Sequence, residues 1–135
     1  MKSHVLIVDD NCVDLKLQSE ILQIAGFETS TAVDAESALA LLRIRVPDLI
    51  LMDIAMPGMD GLAFTRLIKA NARLRHVPVV ALTAFAMKGD DSMAQEAGCD
   101  AYITKPIDTR RFPERIGSVL WAAKLKPSAE SGAPR

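Results

Sequence analysis

Two cysteines are all that the 135 residues contain, and Cys12 and Cys99 lie far apart with no CxxC or metal-ligand spacing. That excludes a disulfide framework and a cysteine-built zinc site. Both are expected as reduced thiols of a cytoplasmic protein, with Cys99 buried. There is no excess of either charge: 16 Lys and Arg oppose 17 Asp and Glu, for a net charge of -1. Without a basic surplus, neither nucleic acid nor an anionic membrane surface is expected as a direct partner. No apolar stretch approaches the roughly 18 residues of a membrane span, so no membrane insertion is expected. Met1-Lys2-Ser3-His4 runs straight into a strand pattern and leaves no room for a signal peptide. The two histidines, His4 and His76, are isolated and read as structural or surface residues.

What is present is a single domain's length, half of it hydrophobic, enough to bury a proper core. Two periods alternate along it. Strand-like runs fall at about 4–9, 27–32, 48–53, 77–82 and 100–103, and helical patterns at about 12–25, 34–45, 61–73, 87–97 and 109–123. Ala35, Ala38, Leu39, Leu42 and Val46 recur at helical steps, and Asp34 before them, with Ser37 in the first turn, suits an N-terminal cap. Gly26 and Gly98 occupy the positions that close the first and fourth helices, where a left-handed backbone favours glycine. Pro47 and Pro78 are expected to stop the second and third. Five βα units with short connections predict an α/β fold with a parallel sheet and right-handed crossovers. Residues 1–124 make the domain. The Pro-, Ser- and Gly-containing segment 125–135 reads as a disordered tail, and too few residues follow the last helix for a DNA-binding domain.

Three carboxylates stand where two apolar runs stop. Asp9 and Asp10 follow Val5-Leu6-Ile7-Val8, and Asp53 follows Leu49-Ile50-Leu51-Met52. Runs with almost no alternation read as strands buried on both faces, hence central in a parallel sheet. Side chains just past the carboxyl ends of such strands converge in the crevice where open α/β sheets bind ligands. Two unit charges about 4 Å apart repel by roughly 4 kcal/mol at an effective dielectric near 20. The cluster therefore implies a cation or a raised carboxyl pKa. Thr83 ends the fourth run and Lys105 the fifth. Alone, Thr83 would be a helix cap and Lys105 a solvated charge. Together with the acids they suit a phosphoryl group, with Mg²⁺ answering the carboxylates, a hydroxyl donating to one oxygen and an ammonium pairing with another.

The Asp9-Asp10 pair, Asp53 within Met52-Asp-Ile-Ala-Met-Pro-Gly-Met-Asp-Gly61, Thr83-Ala84 and Lys105-Pro106 resemble the motifs of the CheY-like receiver domains of two-component response regulators. The resemblance spans about residues 3–122, and Thr83-Ala-Phe-Ala-Met-Lys-Gly-Asp90 is similar to single-domain regulators of the DivK type. It implies a flavodoxin-like, doubly wound (βα)5 fold with strand order 2-1-3-4-5. It also implies a phosphorelay switch rather than an enzyme acting on a separate substrate. Asp53 is then the phosphoacceptor. Asp10, Asp53 and the backbone carbonyl of Ala55 hold Mg²⁺, and Asp9 acts through coordinated water. Lys105, Thr83 and the amide of Ala84 bind the phosphoryl group, and Lys105-Pro106 is a cis peptide. Pro57-Gly58 and Gly61 supply turn chemistry that leaves the acceptor exposed.

Output is implied to run through Tyr102, the sole tyrosine, which turns inward as Thr83 moves. The reading face is then the fourth helix, fifth strand and fifth helix, including Lys88 and Gln95, with Trp121 packed near its end. The resemblance implies a histidine kinase or histidine phosphotransfer protein docking around Cys12, Leu15, Lys16, Pro106 and Ile107. A downstream protein target, and possible homodimerisation, belong to the reading face. Ala55 and Phe85 flank the direction of water attack on an aspartyl phosphate and cannot hydrogen-bond that water, so slow self-dephosphorylation is expected. A Phe85→Glu variant that hydrolysed no faster would count against shielding by Phe85. Three alternatives stay open. A haloacid-dehalogenase-type phosphatase would place its nucleophile in a DxD motif after the first strand, which Asp9-Asp10-Asn11 does not form. A flavodoxin would need a glycine- and hydroxyl-rich loop there, where these acids would repel the flavin phosphate. A degenerate receiver would bind partners without phosphorylation.

Overall fold

The computed structural model of the protein describes residues 2–54, 61–83 and 95–125. Chain order is β1 (His4–Val8), α1 (Cys12–Ile24), β2 (Glu28–Ala32), α2 (Ala35–Ile44), β3 (Leu49–Asp53), α3 (Gly61–Ala70), β4 (Val79–Thr83), β5 (Ala101–Thr104) and a C-terminal helix (Arg111–Leu125). The strands form one parallel sheet in the order β2-β1-β3-β4-β5, as expected for the flavodoxin-like arrangement. Of the fourth helical pattern, the described residues include helical 95–97, closed by Gly98 at φ +107°. The expected Ala55, Pro57-Gly58, Ala84, Phe85 and Lys88 positions, and the tail beyond Leu125, lie outside the described residues.

Uniform apolar runs produce the expected burial. Every residue of β1, β3 and β4 is buried, whereas the edge strands β2 and β5 are largely half-exposed. Alternation divides the side chains between two cores. Val5, Ile7, Leu49, Leu51, Val80 and Leu82 pack under α1 and the C-terminal helix, with Leu15, Leu22, Phe112 and Ile116. Leu6, Val8, Ile50, Met52, Val79 and Ala81 pack beneath α2 and α3, with Ala38, Leu42, Phe64 and Ile68. Both faces of the sheet are covered, which is what lets an all-parallel sheet stand.

Local signals begin and end these helices. The Asp34 carboxylate accepts from the Ser37 amide at 2.7 Å, capping α2, and that hydrogen bond holds its pKa below the ordinary carboxyl value. Gly26 ends α1 at φ +100°, a conformation costly to any residue with a Cβ. One expectation fails: α3 stops at Ala70, well before Pro78. Asn71 breaks it, its side-chain oxygen accepting from the Arg73 amide at 2.8 Å while its carbonyl takes Leu74 and Arg75 into a tight turn. His4 is buried in β1 and meets the Ser30 hydroxyl at 2.6 Å; burial, then the nearby Arg45 charge, pushes its pKa down despite Glu28 and Asp48. Cys99 is buried beside Thr65, and burial pushes its thiol pKa up. No helix of the described residues is long and apolar enough to cross a membrane.

Candidate functional site

Strand order reverses at β1: the chain passes from β1 outward to β2, then returns to lay β3 on the other side. At such a reversal the connections leave in opposite directions and open a crevice at the carboxyl ends of the strands. Asp9 and Asp10 stand just past β1 and Asp53 ends β3. Their carboxylates come together, one oxygen from each lying within 4.8 Å of the others, with Asp9 and Asp53 buried and Asp10 exposed. This oxygen-only set suits a hard divalent cation and could hold a metal ion. Thr83, buried, ends β4, which is paired with β3 so that Leu82 lies beside Asp53.

Lys105 reaches into the crevice from beyond β5. Its amide donates to the Thr83 carbonyl at 2.7 Å, tying the loop to the end of β4, and the Lys105-Pro106 peptide is cis. The Lys105 ammonium donates to Asp9 Oδ2, Asp14 Oδ2 and Asp53 Oδ2, each at 3.0 Å. Burial by itself would lower the lysine pKa, but its hydrogen bonds to Asp14, Asp53 and Asp9 outweigh that and hold it well above its ordinary value. The carboxylates around it thus favour the charged ammonium.

Two of these supporting residues escape a reading of the sequence. Asp14 sits one turn into α1, at the position where an acid behind the Asn11 cap reads as a capping-box residue. The cap does not use it. Asn11 Oδ1 accepts from the Val13 and Asp14 amides, and the Asn11 amide itself donates to Asp9 Oδ1 at 3.0 Å. Gln18, one turn further along the same face and fully buried, donates from Nε2 to Asp9 Oδ2 at 3.2 Å. The four-residue step from Asp14 to Gln18, on a helix that starts just after the acid pair, was the available signal.

Gly61 plays a different part from the turn residue expected of it. A Cβ there would lie 2.6 Å from Ile54 Cα and 3.1 Å from the Asp53 carbonyl, so its lack of a side chain lets α3 press against the backbone at the end of β3. Two surface expectations also change. Leu15 is 8% exposed and belongs to the core, while Val13 (77%) and Leu17 (43%) carry the exposed apolar stripe of α1. Trp121, expected to pack, is 64% exposed. Tyr102 is half-buried against the core beneath α3, and Gln95 is exposed. Beside the acid site, Asp14, Leu17, Gln18, Lys105, Pro106 and Ile107 line a cavity of about 370 Å³. At the opposite end of the sheet, the Lys69–Asp100 ion pair ties α3 to the start of β4: Lys69 also donates to the Val77 carbonyl, and Asp100 accepts from the Val79 amide.

Comparison with known proteins agrees with this geometry. The response regulator receiver domain matches residues 5–117. The polar-differentiation response regulator DivK of Brucella ovis is 47% identical over 120 residues, covering 89% of this chain and 98% of that protein. Among solved structures, NtrX from Brucella abortus superposes with a TM-score of 0.88 at 33% identity, over 96% of this chain and 30% of that one. The chemotaxis response regulator CheY4 of Vibrio cholerae does so with a TM-score of 0.82 at 27% identity, over 88% of this chain and 99% of that one. With its fold, its acid crevice and its sequence in agreement, the chain belongs to the response regulator receiver domain family.

Proposed function

We propose that the protein is a phosphorylation switch that takes a phosphoryl group from a phosphohistidine onto Asp53. The observation that carries this reading is the Lys105 ammonium fixed 3.0 Å from an Asp53 oxygen within a cluster of further carboxylates. An Asp53 oxygen forms the new P–O bond as the P–N bond of the donor breaks, and the histidine ring keeps that electron pair and takes up a proton. Phosphoryl transfer asks little covalent help of a protein and much positioning and charge neutralisation. Lys105 supplies a positive charge that its three carboxylate partners favour. Thr83, at the next strand end, donates its hydroxyl to a phosphoryl oxygen, and the Ala84 amide would be a further donor. Asp10, Asp53 and the Ala55 carbonyl, with Asp9 through water, would hold Mg²⁺, which when bound offsets the charge of the acids and the phosphoryl oxygens.

Phosphorylation adds about one and a half to two negative charges to the crevice. Thr83 moves toward them, and Tyr102 turns further into the core it already touches. This re-shapes the face formed by β5, the helix ending at 97 and the C-terminal helix, where a downstream protein or a second copy binds. The donor, a histidine kinase or phosphotransfer protein, docks over Val13, Leu17, Pro106 and Ile107 rather than Leu15, beside the cavity that adjoins Lys105. Ala55 and Phe85, offering water no hydrogen bond, make the aspartyl phosphate long-lived. The protein acts in the cytoplasm, where such kinases present their phosphohistidine. Intact-protein mass after incubation with acetyl phosphate or phosphoramidate and Mg²⁺ tests the reading. A gain of one phosphoryl group that requires Mg²⁺ and is absent from Asp53→Ala is expected. Failure with these donors and with a phosphohistidine donor would instead favour a binding module that is never phosphorylated.

A further inference from the structure

The Lys105 ammonium has three N–H donors, and a carboxylate accepts from it at 3.0 Å in three places. Asp9 and Asp53 belong to the buried acid cluster; Asp14 does not. We propose that Asp14 is a positioning residue that keeps hold of the ammonium when Asp9 and Asp53 turn to a divalent cation. The inference rests on the reading that the crevice takes Mg²⁺, and it concerns what this chain's own residues do toward it.

A divalent cation and an ammonium cannot share the same carboxylate oxygens without strong repulsion. Asp9 has no freedom to resolve the conflict. It is fully buried, Oδ1 accepts from the Asn11 amide, and Oδ2 accepts from Gln18 as well as Lys105. Asp53 is also buried, with its side chain 8% exposed. Asp14 differs: its side chain is 36% exposed, on the first turn of α1, and it approaches Lys105 from across the crevice mouth. The ordinary reading, an acid that merely complements a helix N-terminus, needs no lysine. The start of α1 is in any case satisfied by Asn11 and Asp9. What the Asp14 carboxylate does hold is Lys105. It therefore gives the ammonium an anchor outside the acid cluster, one it can keep, within reach of a phosphoryl group on Asp53, when a metal takes the oxygens of Asp9 and Asp53.

Asp14→Asn preserves size and one acceptor but removes the charge that competes for the ammonium. Calorimetric titration with Mg²⁺ should show affinity weakened about threefold, the scale of a half-exposed ion pair. The effect must run through Lys105, so in a Lys105→Met background the same substitution should change Mg²⁺ affinity much less. Asp14→Glu should recover part of the loss in the otherwise wild-type protein. In metal-free protein, the ¹H–¹⁵N signal of the Lys105 ammonium should be sharp in the wild type and broadened in Asp14→Asn. Equal effects in both lysine backgrounds, or unchanged Mg²⁺ affinity in Asp14→Asn, would overturn the role of Asp14 alone. A wild-type protein that binds no Mg²⁺ would overturn the cation reading of the crevice together with it.

Discussion

Asp9, Asp10, Asp14 and Asp53 bring four negative charges to a crevice in which Lys105 places one positive charge. Without metal this imbalance is a source of instability, because like charges at such separations repel even where solvent reaches them. Asp10→Asn removes the most exposed member of the three-acid cluster and should raise metal-free stability by about 1 kcal/mol. Urea denaturation in chelator should show that gain. At saturating Mg²⁺ the order should reverse, since binding to the folded state stabilises in proportion to affinity and the variant binds less tightly. A loss of stability in both buffers would show that Asp10 is a structural residue. The acids, Thr83 and Lys105 are legible in the sequence because each ends an apolar run and needs no knowledge of its partners. Asp14 and Gln18 are not, because what gives them meaning is Lys105 and Asp9. Asp14 meets Lys105 across 91 positions, and in a helix an acid behind a cap or a glutamine on the next turn is commonplace.

Elements are positioned by close approach as much as by burial. Gly61 shows this, since α3 rests directly on the backbone of Asp53 and Ile54. Gly61→Ala forces a methyl to within 2.6 Å of Ile54 Cα, a main-chain atom that can yield only if the end of β3 or the start of α3 moves. A destabilisation of about 1–3 kcal/mol is expected. Slower phosphorylation of Asp53 should accompany it, read by rates with acetyl phosphate. Full stability with a normal rate would mean that the contact relaxes without cost. From the sequence, Gly61 is indistinguishable from a turn glycine, because its role depends on a contact with a neighbouring strand end. The end of α3 is hidden in the sequence for a related reason. Proline is a conspicuous stop signal, but Asn71 ends the helix earlier by offering its side chain to the following amides. The strands were legible nearly to the residue, since three uninterrupted apolar runs leave a parallel sheet little choice of centre.

At the scale of the whole molecule, pH should act through His4, buried at the start of β1. Burial holds His4 neutral with a pKa below its ordinary 6.5, whereas the unfolded chain binds a proton there once pH drops past that value. Because the unfolded state then binds more protons, stability falls as pH decreases from 6.5 toward the depressed folded value. Stability lost to protonation of Glu28, which Arg45 holds below its ordinary 4.5, belongs to a lower window. Urea midpoints measured between about pH 7.5 and 5.5 should decline in the wild type and stay nearly level in His4→Gln. Equal slopes would mean that His4 takes up its proton without leaving the core. The overall arrangement, two helix layers around a 2-1-3-4-5 sheet, followed from alternating periods and from the resemblance the motifs carry. Surface roles followed less well. Leu15 and Trp121 exchanged their expected places because helical spacing alone does not say which side of an apolar stripe meets the sheet.

If these strand ends make Asp53 the acceptor of a phosphoryl group, as proposed, the modified residue can be located in the chain. The direct measurement is to phosphorylate the protein with acetyl phosphate and Mg²⁺, reduce the acyl phosphate with borohydride, and locate the resulting homoserine by peptide mass spectrometry. Homoserine at position 53, formed only when Mg²⁺ is present during phosphorylation, is the predicted result. Homoserine at Asp9 or Asp10 instead, or a phosphorylated protein with Asp53 unreduced, would contradict it.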